Sequence, residues 1–175
     1  DASWQERTGQ ATIIYCELAA QNGGNTLFCD MYGAYDRLPQ GWKLKIEDKR
    51  ANHSLHFSRN RRHGHQPMTN QQRHSTPVVN HPIVRTHPDT QKKAMFLGDH
   101  AESVLGVPYE TGRLWIDELN QLIVHDELTY EHRWKNGDLL VWDNRCLMHR
   151  VTSYDASKEG RIIRRCTAID PIKPY

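Results

Sequence analysis

Short runs of β-forming residues, each closed by a turn, occupy both ends of this chain and limit what it can fold into. "ATIIYCELAA" (11–20), "NTLFCDM" (25–31), "TYEHRW" (129–134), "LLVWD" (139–143), "CLMHRV" (146–151) and "RIIRRCTAI" (161–169) are rich in branched and aromatic side chains, and "QNGG" (21–24) and "KNGD" (135–138) are turn formers between them. Strands this short bury their apolar faces only by stacking sheet on sheet, so the expected fold is mostly β with flanking helices, a sandwich or jelly roll. The helices belong to the middle. "DMYGAYDRLP" (30–39) has Asp30 placed to cap a helix and Pro39 just past its end, and "GWKLKIEDKRANHSLHF" (41–57) is expected to begin as a second helix, with poor periodicity. "PYETGRLWIDELNQLIVHDE" (108–127) carries apolar residues at 114, 115, 119, 122 and 123, a helical spacing. "HPIVRTHPDTQKKAMFLG" (81–98) predicts a hairpin of "IVRT" and "KAMFLG" around "HPDTQK". Residues 58–80 are almost without apolar side chains apart from Met68, Val78 and Val79, which predicts a long polar loop of the lid or binding type.

At 175 residues the chain is expected to form a single domain over 1–175 that needs neither disulfides nor a structural zinc. A net charge of +2 lacks the dense basic face that nucleic acids or membrane surfaces select. The locally basic stretch 58–73 has no aromatic residues interleaved for base stacking. The four cysteines, Cys16, Cys29, Cys146 and Cys166, are far apart with no C-x-x-C pair, which predicts reduced thiols and a cytoplasmic setting. No apolar run approaches the roughly 20 residues that cross a bilayer. The chain opens without Met and enters a strand almost at once, as a fragment does.

The candidate chemistry lies near the C-terminus. His149 ends one apolar run, and Arg161 and Arg165 stand four residues apart on the next, so both point to one face while Arg164 points to the other. Two guanidiniums directed into a β core are costly unless they meet an anion. Ion pairs with the chain's own carboxylates are the plain alternative, and they leave His149 unexplained. Asp1 and Thr26 carry no argument in isolation. "HSLH" (53–56) and "HGH" (63–65) read as solvated loop histidines, since H-x-x-H lacks the i, i+4 spacing of helical zinc ligands.

Taken together, "GGNTLFCDMYGAYDRLP" (23–39), "HPIVRTHPDTQKKAMFLGDHAESVLGVP" (81–108), "RWKNGDLLVWDNRCLMHR" (133–150) and "RIIRRCTAI" (161–169) resemble, in order, the Fe(II)- and 2-oxoglutarate-dependent dioxygenases of the taurine dioxygenase and 2,4-dichlorophenoxyacetate dioxygenase family. The form of "FLGDHAESVLGVP" is closer to the aryloxyalkanoate branch than to the taurine branch. The resemblance implies a double-stranded β-helix, the cupin-like jelly roll, here N-terminally incomplete. It implies iron held by an H-x-D motif and a distal His, an arrangement that leaves positions open for cosubstrate and O2. His149 matches the distal His. The family's carboxylate stands about 25 residues before the Thr of G-G-x-T, which lands on Asp1, 25 residues before Thr26, so the proximal His is expected two positions before the chain's first residue. Asn25 departs from the pattern, in which an acidic residue is more usual.

By the same resemblance Arg161 and Thr26 bind the distal carboxylate of 2-oxoglutarate, Arg165 contacts an anionic group of substrate or cosubstrate, and Trp4 belongs to the substrate pocket. Arg164 is structural, and Trp142 with "DNR" (143–145) buttresses His149. The reaction implied is oxidation, most simply hydroxylation, of a C–H bond in a small organic anion, with 2-oxoglutarate and O2 giving succinate and CO2. An Asp at the carboxylate position argues against halogenation. Desaturation or rearrangement by the same cofactor chemistry, and a non-catalytic jelly roll that merely binds an anion, are the rival readings. A homo-oligomer, no nucleic acid and no membrane complete the expected partners.

Overall fold

The computed structural model describes residues 1–61 and 66–175. Two three-stranded antiparallel sheets form its frame. One has the order β11 (Ile162–Ile169), β1 (Gly9–Leu18), β9 (Leu139–Asp143), and the other β10 (Leu147–Val151), β2 (Thr26–Asp30), β8 (Thr129–His132). The period-two alternation of a strand decides which side chains face inward. On β1, Thr12, Ile14 and Cys16 are buried while Ile13 and Tyr15 are exposed. Their register partners on the same face are Trp142 and Thr167 opposite Thr12, Leu140 and Arg165 opposite Ile14, and Ile163 opposite Cys16. On the second sheet Phe28 pairs with His149 and Thr26 with Val151. Ile14, Cys16, Phe28, Trp134 and Trp142 then pack into one core between the two inner faces. Each large apolar side chain buried there contributes about 1.5–3 kcal/mol.

Between β2 and β8 the chain leaves the frame and builds a layer of its own. It comprises α1 (Met31–Arg37), α2 (Gln40–Ile46), β3 (Arg50–His53), α3 (Leu55–Arg61), α4 (Asn70–Ser75), β4 (Val79–Pro82), β5 (Val84–Thr86), β6 (Lys93–Met95), β7 (Ala101–Val104) and α5 (Tyr109–Ile123). β4, β3 and β7 form a sheet, and β5 and β6 a hairpin. Asp30 accepts the Tyr32 N–H and caps α1, as its place in the sequence predicts. α5 buries Gly112, Ile116, Leu119 and Ile123, a stripe at helical spacing, and leaves Leu114 exposed. Gly112 lies so close to β7 that a Cβ there would stand 2.9 Å from the Val104 nitrogen. This layer has a second core, which includes Met31, Ala34, Ile46, Ile83, Ile116 and Leu119.

The segment 41–57 begins as a helix, as expected, but does not continue as one: α2 stops at Ile46, and Arg50–His53 is the central strand of the β4-β3-β7 sheet. Its buried face is only Ala51 and His53, so no apolar alternation marked it. The stretch 58–80 is not a continuous loop either. α3 runs to Arg61, and α4 is a single helical turn closed by a reciprocal capping box between Thr69 and Gln72. "HGH" at 63–65 lies outside the described residues.

A charged network clips the inserted layer to the frame. His87, buried in the β5–β6 turn, accepts the Asp89 and Thr90 backbone N–H groups at Nδ1, both at 3.2 Å, so its proton sits on Nε2 and is donated to Asp143 on β9 at 3.0 Å. Asp143 also accepts from Arg145 at Nε and Nη2, and Arg145 Nη2 reaches Asp89 at 2.8 Å. Burial alone would raise the Asp143 pKa, but hydrogen bonds from Arg145 and His87 outweigh it and hold the carboxyl at about 2. A depressed carboxyl stabilises the fold above its unfolded pKa of about 3.9, and the contribution is lost as pH falls through the folded value. Asp143→Asn, which leaves the nearly buried Arg145 short of a counter-charge, should cost about 2–4 kcal/mol at pH 7 in urea denaturation. The difference from wild type should shrink as pH falls from about 4 toward about 2.

Candidate active site

Asp1, His149 and Arg165 come from the two ends of the sequence and meet where the two sheets face each other. Asp1 Oδ1 lies 3.5 Å from His149 Nε2, and Asp1 Oδ2 accepts from Thr12 Oγ1 at 2.5 Å and pairs with the Arg165 guanidinium. Burial first, and also the nearby positive charge of Arg165, push the His149 pKa below the usual imidazole value. The ring is therefore neutral at pH 7, and its contact with Asp1 is a juxtaposition of a carboxylate and an uncharged imidazole nitrogen rather than an ion pair. A neutral imidazole is the state in which His149 can donate a lone pair to a metal.

β10 sets His149 on the inner face opposite Phe28, and aromatic contacts fix its ring: Trp142 lies 4.9 Å away edge-on and Phe28 6.1 Å away. Trp142 is itself held by Asn144, which accepts the indole N–H at 2.8 Å and donates to Thr12 Oγ1 at 2.8 Å. Trp142, Asn144, Thr12 and Asp1 thus form one continuous chain of contacts. The "DNR" triplet divides its work: Asn144 serves the site, whereas Asp143 and Arg145 serve the clip. Asn144 stands where the "DNR" triplet is expected to buttress His149, whereas Thr12 was not singled out by sequence. The only available sign was Thr12 on the apolar face of a strand, where a hydroxyl needs a partner.

Thr26 and Arg161 occupy the other end of the same interior. Thr26 is 2% exposed on β2, and Arg161 precedes β11 with its Nε donating to the Gly24 carbonyl at 3.1 Å. The turn between β1 and β2 makes this possible. Gly23 has φ +82° and a Cβ on it would lie 2.1 Å from the Ser153 oxygen, so only glycine fits against the loop that leads to Arg161. Glu159 ties the two segments by accepting the Gln21 and Asn22 N–H groups and the Asn22 amide. Asn25 donates to Glu131 at 2.7 Å, a contact an acidic side chain would turn into repulsion. Arg164 points outward and pairs with Glu17.

A cleft of about 460 Å³ opens beside Asp1 and His149, lined among others by Trp4, Phe28, Phe96, Leu97 and Met148. Trp4 stands on its wall, edge-on to His100 at 4.7 Å. Much of the opposite wall comes from residues 95–100, and no described residue of 58–80 lines it. His53 is not the solvated loop residue expected. It is fully buried on β3, stacked on Phe96 at 5.5 Å, and its pKa is lowered to about 3, first by burial and then by His81 and His100. His87, Asp143 and Cys146 gather three potential ligand atoms within 4.8 Å of one another, but both His87 nitrogens are spent on hydrogen bonds, which leaves no imidazole lone pair for an ion. The four cysteines are free thiols. Among the described residues no helix is long and apolar enough to cross a membrane.

The 2,4-dichlorophenoxyacetate dioxygenase of Cupriavidus pinatubonensis, named as alpha-ketoglutarate-dependent, is 39% identical over 172 residues, which are 97% of this chain and 58% of that protein. The (S)-phenoxypropionate/alpha-ketoglutarate-dioxygenase of Sphingobium herbicidovorans is 33% identical, over 98% of this chain and 61% of its own length. The chain thus spans about three fifths of these curated relatives. The crystal structure of AAD-2 in complex with Mn(II) and N-oxalylglycine superposes with a TM-score of 0.94 at 35% identity, over 100% of this chain and 69% of that one. The fold is accordingly the cupin-like jelly roll. The family model described as "Taurine catabolism dioxygenase TauD, TfdA family" matches residues 1–167, and the chain belongs to that family.

Proposed function

We propose that this chain carries the iron and 2-oxoglutarate sites of a dioxygenase that oxidises a C–H bond of a small aromatic carboxylate. The observation that carries the reading is the meeting of the Asp1 carboxyl group, paired with Arg165, and the His149 imidazole beside a largely apolar cleft. Asp1 and His149 would hold Fe(II) together with a His expected two residues before Asp1 in the whole protein. The bound iron would supply activation of O2, coupled to oxidative decarboxylation of 2-oxoglutarate to succinate and CO2.

The chain's own residues do the positioning. Thr12 and Arg165 both bind Asp1 Oδ2, which leaves Oδ1 as the oxygen turned toward His149. Trp142 and Phe28 fix the imidazole plane and keep water from its buried edge. Thr26 and the Nη groups of Arg161 are proposed to take the distal carboxylate of 2-oxoglutarate, for which a guanidinium fork is suited. Arg165, still 46% exposed while paired with Asp1, has donors left for an anionic group of substrate or cosubstrate. Trp4, Phe28, Phe96 and Met148 supply apolar and aromatic walls of a kind that suits an aryl ring. The names of the two phenoxy-acid relatives support that class of substrate.

The test is succinate release by the full-length Fe(II) protein across aryloxyalkanoates, alkanesulfonates and alkyl sulfates. Aryloxyalkanoates should give the largest release, and absence of succinate with every member would overturn the reading. His149→Ala should abolish turnover, and retained succinate release would remove His149 from the ligand set. Arg161→Ala should raise the KM for 2-oxoglutarate roughly 10- to 100-fold, the loss of a charge-assisted pair. Arg165→Ala should raise the substrate KM by more than the 2-oxoglutarate KM, a split readable from paired saturation curves.

A further inference from the structure

The buried hydroxyl of Thr26 has a donor directed at it and, among the described residues, no acceptor for its own proton. Trp134, 7% exposed in the core between the sheets, gives its indole N–H to Thr26 Oγ1 at 3.0 Å. An indole nitrogen only donates, and a hydroxyl has one proton and two lone pairs. The bond therefore fills a lone pair of Thr26 and turns its proton away from Trp134. Among the described residues no acceptor receives that proton, although Thr26 is 2% exposed. Leaving a buried donor unmade is unfavourable, so the position is built to meet an acceptor from outside the protein.

Trp134 is itself held in place. The His132 ring meets it edge-on at 4.5 Å, His132 Nε2 lies 3.1 Å from Asp138 Oδ2, and that carboxylate accepts the Lys135 N–H at 2.8 Å, closing the turn that carries the indole. Across the interior, Arg161 spends Nε on the Gly24 carbonyl, two residues before Thr26. Among the described residues its Nη donors take no hydrogen-bond acceptor, which leaves them for a ligand at the same end of the core.

We propose that Trp134 is a positioning residue for 2-oxoglutarate: its N–H fixes the Thr26 hydroxyl as an acceptor, so that the hydroxyl proton is presented to the distal carboxylate. This rests on the cosubstrate assignment of Thr26 and Arg161 made above. Trp134 touches Thr26 and acts through it, so its effect should vanish when the hydroxyl is absent.

The experiment is anaerobic calorimetric titration of 2-oxoglutarate into the full-length, metal-loaded protein, comparing wild type, Thr26→Val, Trp134→Phe and the double variant. Trp134→Phe should weaken binding about 3- to 10-fold, Thr26→Val about tenfold, and the double variant no more than Thr26→Val alone. In turnover, Trp134→Phe should raise the 2-oxoglutarate KM with kcat unchanged. Replacing Trp134 by benzothienylalanine, which keeps the bicyclic ring and lacks the N–H, should reproduce the effect and separates the hydrogen bond from packing. Wild-type affinity in both Trp134 replacements, or effects that multiply in the double variant, would overturn the inference while leaving the cosubstrate site standing. A wild-type protein that binds no 2-oxoglutarate would instead overturn the functional reading, and the inference with it.

Discussion

The Asp1 carboxylate is the point at which the two sheets of this protein become one site. A carboxylate only 13% exposed must be compensated, and its partners come from both layers: Thr12 and Arg165 from the β11-β1-β9 sheet, with His149 facing it from the β10-β2-β8 sheet. Each partner is there because strand alternation leaves no other face for it. Thr12 shares its face with Ile14 and Cys16, and Arg165 with Ile163, so the same register that packs the core delivers the polar groups to its end. The core and the site are therefore two consequences of one pairing pattern, and a one-residue slip of β11 would exchange Arg165 for Arg164.

The inserted layer acts on the site from the other direction. It supplies Phe96, Leu97 and His100 to the cleft wall and is tied to β9 through His87 and Asp143. Asp143 and Asn144 are adjacent, one holding the insert and the other holding Trp142 and Thr12. The distance between wall and site floor is thus set across a single peptide bond.

How far the sequence carried the reading follows from what each residue's signal depended on. The frame strands were legible because β formers alternate and "QNGG" and "KNGD" punctuate them, and α1 and α5 were legible through a cap and a period. β3 was not, because its buried face is an alanine and a histidine, residues whose hydrophobicity does not announce a strand. β4 and β7 pair with it and were missed for the same reason: their buried positions carry His81, Pro82, Ala101 and Val104 with polar neighbours. In the site, His149, Arg161 and Arg165 were visible as polar residues in apolar strands. Thr26 and Asp1 became visible only through family spacing, Asn144 only as part of the "DNR" triplet, and Trp134 not at all, since an indole in a β segment reads as packing until its hydrogen-bond partner is known.

The buried polar groups behind the cleft follow a different logic from those in front of it. Phe96 is flanked by the stacked ring of His53 at 5.5 Å, by His81 edge-on at 5.5 Å, and by the Arg85 guanidinium at 5.0 Å. Arg85 is 1% exposed and compensated by the equally buried Asp170, with the nearest oxygen at 3.6 Å. A guanidinium that has given up water gains more from an aromatic face than an exposed one does, and a neutral imidazole stacks without needing a counter-charge. These contacts confine Phe96 from several directions and leave its free surface toward the cleft. Polar groups thus do here what an aliphatic core would do less selectively: they fix the orientation of one ring, and with it the shape of the cleft wall.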